Sequence, residues 1–298
     1  MDLNQLKAFV TVAETGNLTK ASEQLFLSQP AVSAQLKALE SELGVVLFHR
    51  TARGMTLTVA GQVLKQDAAH ALGAAKHVFS RAQSFRQGLS GPCRIGTISE
   101  PVILRLSELL TDLMLANANL SMQLTQSVSG IVIEQILEGK LDGGFVIGDI
   151  GETRIGTIPI CPITLRIVAP YEWRDRVLNA DWEDIAKLPW IATSPKCSFH
   201  QIAMGMFGRH QLSPNSVVAL DQETTLRRLV SSGVGLSLMR EDMALDAETR
   251  KEAVIWPKAA ETKPLNFIFR QFEANTPLIQ ALCKSVRSVW QLEEYKAS

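Results

Sequence analysis

The sequence has few cysteines, and they are widely spaced. The four, Cys93, Cys161, Cys197 and Cys283, form no C-x-x-C pair, which excludes the common zinc spacings and leaves no disulfide framework. Long uncharged apolar runs are also missing, and Met1 is followed by polar residues, so neither a membrane span nor a secretory leader is predicted. These absences together predict a reduced chain in the cytoplasm with no membrane partner.

Metal and catalytic clusters are not evident either. The five histidines form no ligand-spaced group, so we predict no metal site and no cofactor. Cys197 and His200 could act as nucleophile and base, but the sequence identifies no third residue to orient them. We therefore predict that the protein is not an enzyme.

Charge is balanced over the whole chain but not along it. Residues 1–89 contain nine Lys and Arg against six Asp and Glu, whereas the remainder has a small acidic excess. This distribution fits a DNA-binding module with an appended domain. A length of 298 residues also predicts two or three domains.

The N-terminal segment predicts three helices. Apolar positions from Leu3 to Ala13 recur at helical spacing, and Thr19 is the predicted N-cap of a second helix ending near Phe26. Ser28 is then placed to cap a third helix, with Pro30 in its first turn. The buried stripe of that helix is predicted to comprise Val32, Leu36, Leu39 and Leu43.

The other face of the third helix predicts a DNA contact. Two crossing helices joined by a tight turn are typical of a helix-turn-helix, and amides or hydroxyls in the first turns can pair with base edges or phosphates. The residues selected on this ground are Ser28, Gln29, Ser33, Gln35 and Lys37. Arg50 and Arg53 flank a turn ending at Gly54, which predicts a basic wing. A solvated helical hairpin with a charged loop is the alternative.

A long helix is predicted from Gln62. Its apolar positions are spaced alternately four and three residues apart, which is typical of a coiled-coil seam. They are Leu64, Ala68, Ala71, Ala75, Val78, Ala82, Phe85 and Leu89. The seam predicts a homodimer able to present two recognition helices to a pseudo-palindromic site. Packing within one chain is the alternative.

The segment from Leu3 to Gly61 strongly resembles the N-terminal domain of LysR-type transcriptional regulators. The resemblance rests on S-Q-P-A-V-S in the third helix, L-G-x-x-L-F-x-R before the wing and T-x-A-G before the long helix. It implies operator contacts by Gln29, Pro30, Ser33 and Arg50, with Arg53 a looser match. The family also implies a C-terminal effector domain and dimers joined by linker helices, commonly assembled as homotetramers. RNA polymerase is a further expected partner.

After Pro92, short apolar strands alternate with helical stretches, as in open α/β domains. This half resembles the two-lobed, periplasmic-binding-protein-like (type 2) effector domain of the family. The stretch from Glu223 to Met239 is close to its E-T-x-x-x-x-L-V-x-x-G-x-G-I-x-x-L-P motif, although Met239 and Arg240 replace Leu-Pro. Gly143 and Gly144 also depart from the family pattern and are expected to loosen the start of their strand.

The predicted fold is therefore multidomain, with an all-α winged helix-turn-helix followed by an α/β effector domain. The predicted boundaries are 1–61 for the DNA-binding domain, 62–90 for the linker helix, 91–160 with 266–298 for lobe I, and 161–265 for lobe II.

Ligands of open α/β lobes bind at the carboxyl ends of strands and at helix N-termini. This rule, with one helix expected to start at Pro101, selects Thr97, Ser99, Glu100, Ser127, Ser129, Thr193, Ser194 and Thr224. The hydroxyls suit a small carboxylate, whereas an inward Glu100 would favour an amine. Helix capping is the alternative role for each residue.

The sequence thus predicts a LysR-type regulator that binds double-stranded promoter DNA as a dimer or tetramer and responds to a small-molecule effector between the lobes. One alternative keeps this architecture but senses an oxidant through Cys197. Another is a small-solute-binding protein, which would need a signal peptide and would lack the N-terminal helices.

Overall fold

The computed structural model describes residues 1–51, 54–87, 89–98 and 103–292, and for residues 50, 51, 76, 77 and 79–87 it describes the backbone alone. The chain divides into two compact units, one of residues Met1–Gly88 with Leu137–Gly139 and one of residues Leu89–Ile136 with Lys140–Ser298. Each is considered by itself below. In the described part of the chain, no helix combines the length and apolarity needed to cross a bilayer.

The N-terminal unit contains the three predicted helices, a hairpin and a long helix. Its elements are α1 (Leu3–Thr15), α2 (Leu18–Leu25), α3 (Gln29–Leu43), β1 (Phe48–Thr51), β2 (Gly54–Leu57) and α4 (Val59–Gln87). Ser28 caps α3 as predicted, since its Oγ accepts a hydrogen bond from the Ala31 amide at 3.3 Å. The predicted cap of α2 was wrong. Asn17 is the cap, because its Oδ1 already accepts the Thr19 amide at 2.8 Å.

The core of this unit lies where α1, α3 and the hairpin meet. Phe9 and Phe48 pack edge to face with ring centroids 5.6 Å apart. The predicted stripe of α3 is buried at Val32, Leu36 and Leu39. Leu43 is 37% exposed, so that part of the prediction was wrong. The helix ends at the left-handed Gly44, beyond the edge of the core.

The long helix α4 differs from the predicted helix at both ends. It starts at Val59 because Thr58 Oγ1 accepts the Gly61 amide at 2.9 Å. Gly61 is required there, since a Cβ would collide with the Leu47 carbonyl oxygen. The helix ends at Gln87, so Leu89 is not part of its seam.

The first seam positions pack inside their own chain. Ala68 is buried in the N-terminal core, and Leu64 packs against the same core. Val78, further along, is 68% exposed. Packing within the chain therefore explains the apolar residues at the start of the seam, but it does not explain Val78.

The C-terminal unit alternates strands and helices, as predicted. Its elements are β3 (Ser90–Thr97), α5 (Leu106–Ala116), β4 (Asn119–Gln126), α6 (Ser129–Leu137), β5 (Gly143–Ile147), β6 (Ile155–Pro170), α7 (Arg174–Asn179), α8 (Trp182–Lys187), β7 (Pro189–Ala192), α9 (Ser198–Gly208), β8 (Asn215–Ala219), α10 (Glu223–Ser231), β9 (Ser237–Arg240), α11 (Glu241–Thr249), β10 (Ala253–Arg270) and α12 (Pro277–Trp290). Helices α7, α8 and α11 were not predicted.

Two long strands join the lobes of this unit. The six-stranded sheet has the order β4-β3-β5-β10-β6-β9, and β7 pairs with β8 in parallel. Strands β6 and β10 run antiparallel from the Ile155–Arg270 pair to the Pro170–Ala253 pair. One end of this ribbon borders β5 and the other borders β9.

Two local predictions in this unit were wrong. The helix expected from Pro101 starts at Leu106, because residues 103–105 form a turn and Arg105 has a left-handed backbone. Gly143 and Gly144 do not loosen β5, which is buried throughout. A Cβ at Gly143 would lie 2.5 Å from the Phe267 ring, so glycine there permits close packing.

Candidate functional site

The start of α3 forms an exposed polar surface. Gln29, Pro30 and Lys37 are exposed, whereas Ser33 is half-buried at the edge of this face. Ala34 and Ala38 are exposed on the same helix and were missed by the sequence analysis, because alanine fits a core equally well. Small side chains on this face let another surface approach the helix closely.

Gln35 lies at the flank of α3 and not on its exposed face. The side chain is half-buried, and its Oε1 is buried with no hydrogen-bond partner among the described residues. The structure therefore gives less support to Gln35 as a DNA contact than to Gln29 or Lys37.

The β1–β2 hairpin and the residue before it are held to the helices by hydrogen bonds from main-chain amides. The Met55 amide donates to the Gly16 carbonyl at 2.8 Å. Glu40 of α3 accepts the Leu47 amide at 2.7 Å, which ties the third helix to the chain entering the hairpin. Arg50 lies in β1, opposite Met55 in the register, although its side chain is outside the described part of the structure, as is Arg53.

A small pocket lies in the C-terminal unit where the chain leaves several strands. Its walls come from the residues that follow β3, β4, β7 and β8 and from the end of β5. The lining residues are Ile98, Val128, Ser129, Ile147, Thr193, Cys197, Ser198, Phe199, Asp221, Glu223 and Leu226. This pocket lies at the carboxyl ends of strands, where ligands of open α/β lobes bind.

Two of the predicted effector residues, Ser129 and Thr193, line this pocket. Thr97 is buried beside it, and its carbonyl accepts the Ser127 amide at 2.8 Å. Ser194 does not line the pocket, but its amide donates a hydrogen bond at 2.8 Å to Oδ1 of Asp221, which does.

Thr224 was also predicted to contact the effector, but its side chain is exposed on α10 and does not line the pocket. Ser99 and Glu100 fall outside the described residues. Ser198, Asp221 and Glu223 also line the pocket and were not predicted, because they are too far from Ser129 in sequence to be grouped with it by any pattern.

Direct contacts across the pocket join α6 to the loop before α9. The Gly130 amide donates to the Lys196 carbonyl at 2.9 Å, and Lys196 Nζ pairs with Glu134 at 2.8 Å. Inside, Ser129 Oγ lies 3.2 Å from Ser198 Oγ and accepts the Ile147 amide at 3.3 Å. The pocket is therefore closed on this side by contacts between the two lobes.

The pocket is acidic. Asp221 and Glu223 both line it, and none of the described lining residues is Lys, Arg or His. Glu223 is paired with Arg240, whose Nη1 donates to it at 2.6 Å. Asp221 accepts the Ser194 amide, which leaves its negative charge uncompensated by any cationic side chain in the described lining.

Cys197 is poorly suited to react as a thiolate. Burial is the largest effect on its thiol and raises the pKa above the usual value. His200 does not compensate, because its Nδ1 lies 3.0 Å from the Thr193 carbonyl oxygen and is engaged with the main chain. Within the described part of the chain, no cluster of three or more His, Cys, Asp or Glu is placed to hold a metal ion.

The geometry so far defines a helix-turn-helix with a β-hairpin wing and a two-lobed α/β domain with a closed cleft. Residues 3–62 match the family described as bacterial regulatory helix-turn-helix protein, lysR family, and residues 86–291 match the LysR substrate binding domain. The chain belongs to the LysR family of DNA-binding transcriptional regulators.

Individual relatives agree with this placement. The chain is 28% identical to the HTH-type transcriptional regulator ClcR of Pseudomonas putida over 91% of its length and 93% of that protein. It is 21% identical to a full-length OxyR cysteine-to-aspartate variant from Pseudomonas aeruginosa, with a TM-score of 0.68 and coverage of 100% and 99%. Full-length CbnR, solved with its target DNA, shares 24% identity and a TM-score of 0.57, with coverage of 97% and 99%.

Proposed function

We propose that the protein reads a pseudo-palindromic promoter site with the first turns of α3. The observation that carries this is the exposure of Gln29, Pro30 and Lys37 around a capped helix start, because N-terminal residues of a recognition helix meet base edges in the major groove. Ser28 and Ser33 complete this surface. The tie between Glu40 and the hairpin supports placing Arg50 and Arg53 along the adjacent backbone.

The test is a selection of genomic fragments retained by the full-length protein at near-physiological salt. One enriched interrupted palindrome is expected, and binding should weaken steeply with salt, since phosphate contacts release counterions. Gln29→Ala should lower affinity for the selected site by roughly tenfold, the range of one base contact. Gln201→Ala, an exposed glutamine of α9, is the matched control and should change nothing. Equal affinity of wild type and Gln29→Ala would contradict the assignment.

We further propose a homodimer joined through α4, assembled into a homotetramer, with RNA polymerase as a partner at the promoter. The exposed Val78 supports a pairing surface in the part of α4 beyond the N-terminal core.

The domain boundaries also shift in this proposal. The linker helix starts at Val59, so the predicted boundary at residue 62 moves back into the T-x-A-G segment. The lobe boundaries at 160 and 265 fall within β6 and β10, which fits two strands shared by both lobes.

We propose that the acidic cleft binds an amine-bearing effector. The negative charge of Asp221 disfavours the small carboxylate considered first, since the described lining offers no cation to pair with it, whereas the charge of Glu223 is offset by Arg240. Binding would shift the population of lobe arrangements and thereby the operator contacts. In this proposal the protein acts by binding and not by catalysis, in the cytoplasm with its DNA.

A thermal-shift comparison of small amines and small carboxylates tests the effector class. At least one amine should raise the melting temperature of the wild type and not of Asp221→Asn, because that variant removes the uncompensated charge. Asp175→Asn, in α7, is the matched control. Stabilisation by carboxylates alone would overturn the amine proposal. The oxidant alternative has less support, since the raised pKa of Cys197 disfavours its reactive form.

A further inference from the structure

Phe26 has two features that are unfavourable for folding, and the contacts of the folded chain require neither a phenylalanine nor any other aromatic residue there. Its side chain is 95% exposed, the largest fraction among the large apolar side chains that the structure describes. Its backbone is left-handed, with φ of 55°, where glycine or asparagine is favoured over a bulky residue. The capping contacts made at this position come from its amide, which donates to the Ser22 and Glu23 carbonyls, and any residue with an N–H could make them.

The position of Phe26 relates it to the DNA-binding surface. It lies three residues before Gln29, and three extended residues span at most about 11 Å. Between them, Leu27 is held by a 3.0 Å hydrogen bond from its amide to the Ser22 carbonyl, and Ser28 caps α3. Phe26 therefore lies beside the first turn of α3, at the margin of the surface that this turn forms.

We propose that Phe26 is a specificity-determining residue whose ring packs on the 5-methyl group of a thymine at the edge of each operator half-site. Phenylalanine is one of the side chains that recognise this methyl group in the major groove. Burial of the ring against the methyl group would explain why an exposed aromatic residue stands at a position where folding alone favours glycine or asparagine. The inference rests on the proposed placement of α3 in the major groove.

The experiment compares four full-length proteins in a selection from a random duplex library: wild type, Phe26→Asn, Gln29→Ala and Leu245→Gln. Asparagine tolerates the left-handed backbone, so Phe26→Asn should unfold at the same temperature as wild type or higher. It should still select the operator but lose the preference for thymine at one position per half-site. Leu245→Gln, a 52% exposed leucine in α11, should retain the wild-type profile.

Replacing that thymine with deoxyuridine removes only the methyl group. Wild-type affinity should fall about fourfold per half-site, the effect of one methyl-sized apolar contact, whereas Phe26→Asn should bind both duplexes equally. An unchanged base profile for Phe26→Asn, with a changed profile for Gln29→Ala, overturns the Phe26 proposal and leaves the proposed function standing. Unchanged profiles for both variants overturn both. A loss of oligomers by Phe26→Asn without a change in base preference assigns the ring to a second copy and also overturns the proposal.

Discussion

Arg240 donates a hydrogen bond from Nη1 to Glu223 over 2.6 Å, which joins the end of β9 to the start of α10. Both side chains are largely buried, with 4% and 17% of their surfaces exposed. Glu223 also lines the pocket, whereas Arg240 does not. Arg240 therefore fixes the position of a carboxylate in the pocket without being part of the lining. The arginine stands where the family motif has proline, and this chain therefore supports its cleft with an ion pair.

Arg240→Met should lower the free energy of unfolding by about 3 kcal/mol, because it leaves a buried carboxylate without its partner. Urea unfolding followed by tryptophan fluorescence measures this directly. All five tryptophans lie beyond residue 170 and report on the C-terminal unit alone. Arg250→Met is the control, since Arg250 is 63% exposed in its pair with Asp246 and should cost less than about 1 kcal/mol. Equal effects of the two substitutions would argue against a supporting role for Arg240.

Gly130→Ala should destabilise the contact between the lobes. A Cβ there would lie 2.6 Å from the Lys196 carbonyl oxygen, which now accepts the Gly130 amide. The expected loss is about 1 kcal/mol or more, the contribution of one such hydrogen bond. Gly205→Ala in α9 faces open space and should instead stabilise by up to about 1 kcal/mol. The same fluorescence titration measures both, and a stabilising Gly130→Ala would contradict the close approach.

Stability should fall at alkaline pH partly because of Cys93. Burial raises the pKa of this thiol from 9.0 to about 12. The unfolded chain therefore releases this proton at lower pH than the folded one, and the stabilisation present below pH 9 is lost as the pH rises toward 12. Cys93→Ala removes this contribution, so its free energy of unfolding should decline less steeply than that of the wild type between pH 9 and 11. Parallel pH profiles for the two proteins would contradict this origin.

Val78→Asp should dissociate the proposed dimer without unfolding either unit. The side chain is 68% exposed on α4, so a charge costs little in the monomer but is costly in an apolar seam. Sedimentation equilibrium should show a shift toward monomer, with the helical signal in far-UV circular dichroism unchanged. Leu245→Asp, on exposed α11, should keep the wild-type mass. If both variants retain that mass, the interface lies elsewhere.

Prediction from sequence succeeded where a signal is local. The cap at Ser28, the Pro30 helix start and the alternation of strands and helices depend on neighbouring residues, and each was found. The errors at Thr19, Leu43 and Pro101 concern the ends of helices. There, competing caps decide where a helix starts, and the edge of the core decides whether its last residues are buried. Gly143 was misjudged because its partner, Phe267, is more than a hundred residues away.

The sequence by itself determined the family, the helix-turn-helix and the α/β character, because periodicity and capping are encoded within a few turns of chain. Only the tertiary structure decided which residues form the pocket. Ser129, Ser198 and Asp221 meet there because β6 and β10 join the two lobes, and burial in the folded chain raises the pKa of the Cys197 thiol. Such contacts depend on chain topology and desolvation, which no local pattern records.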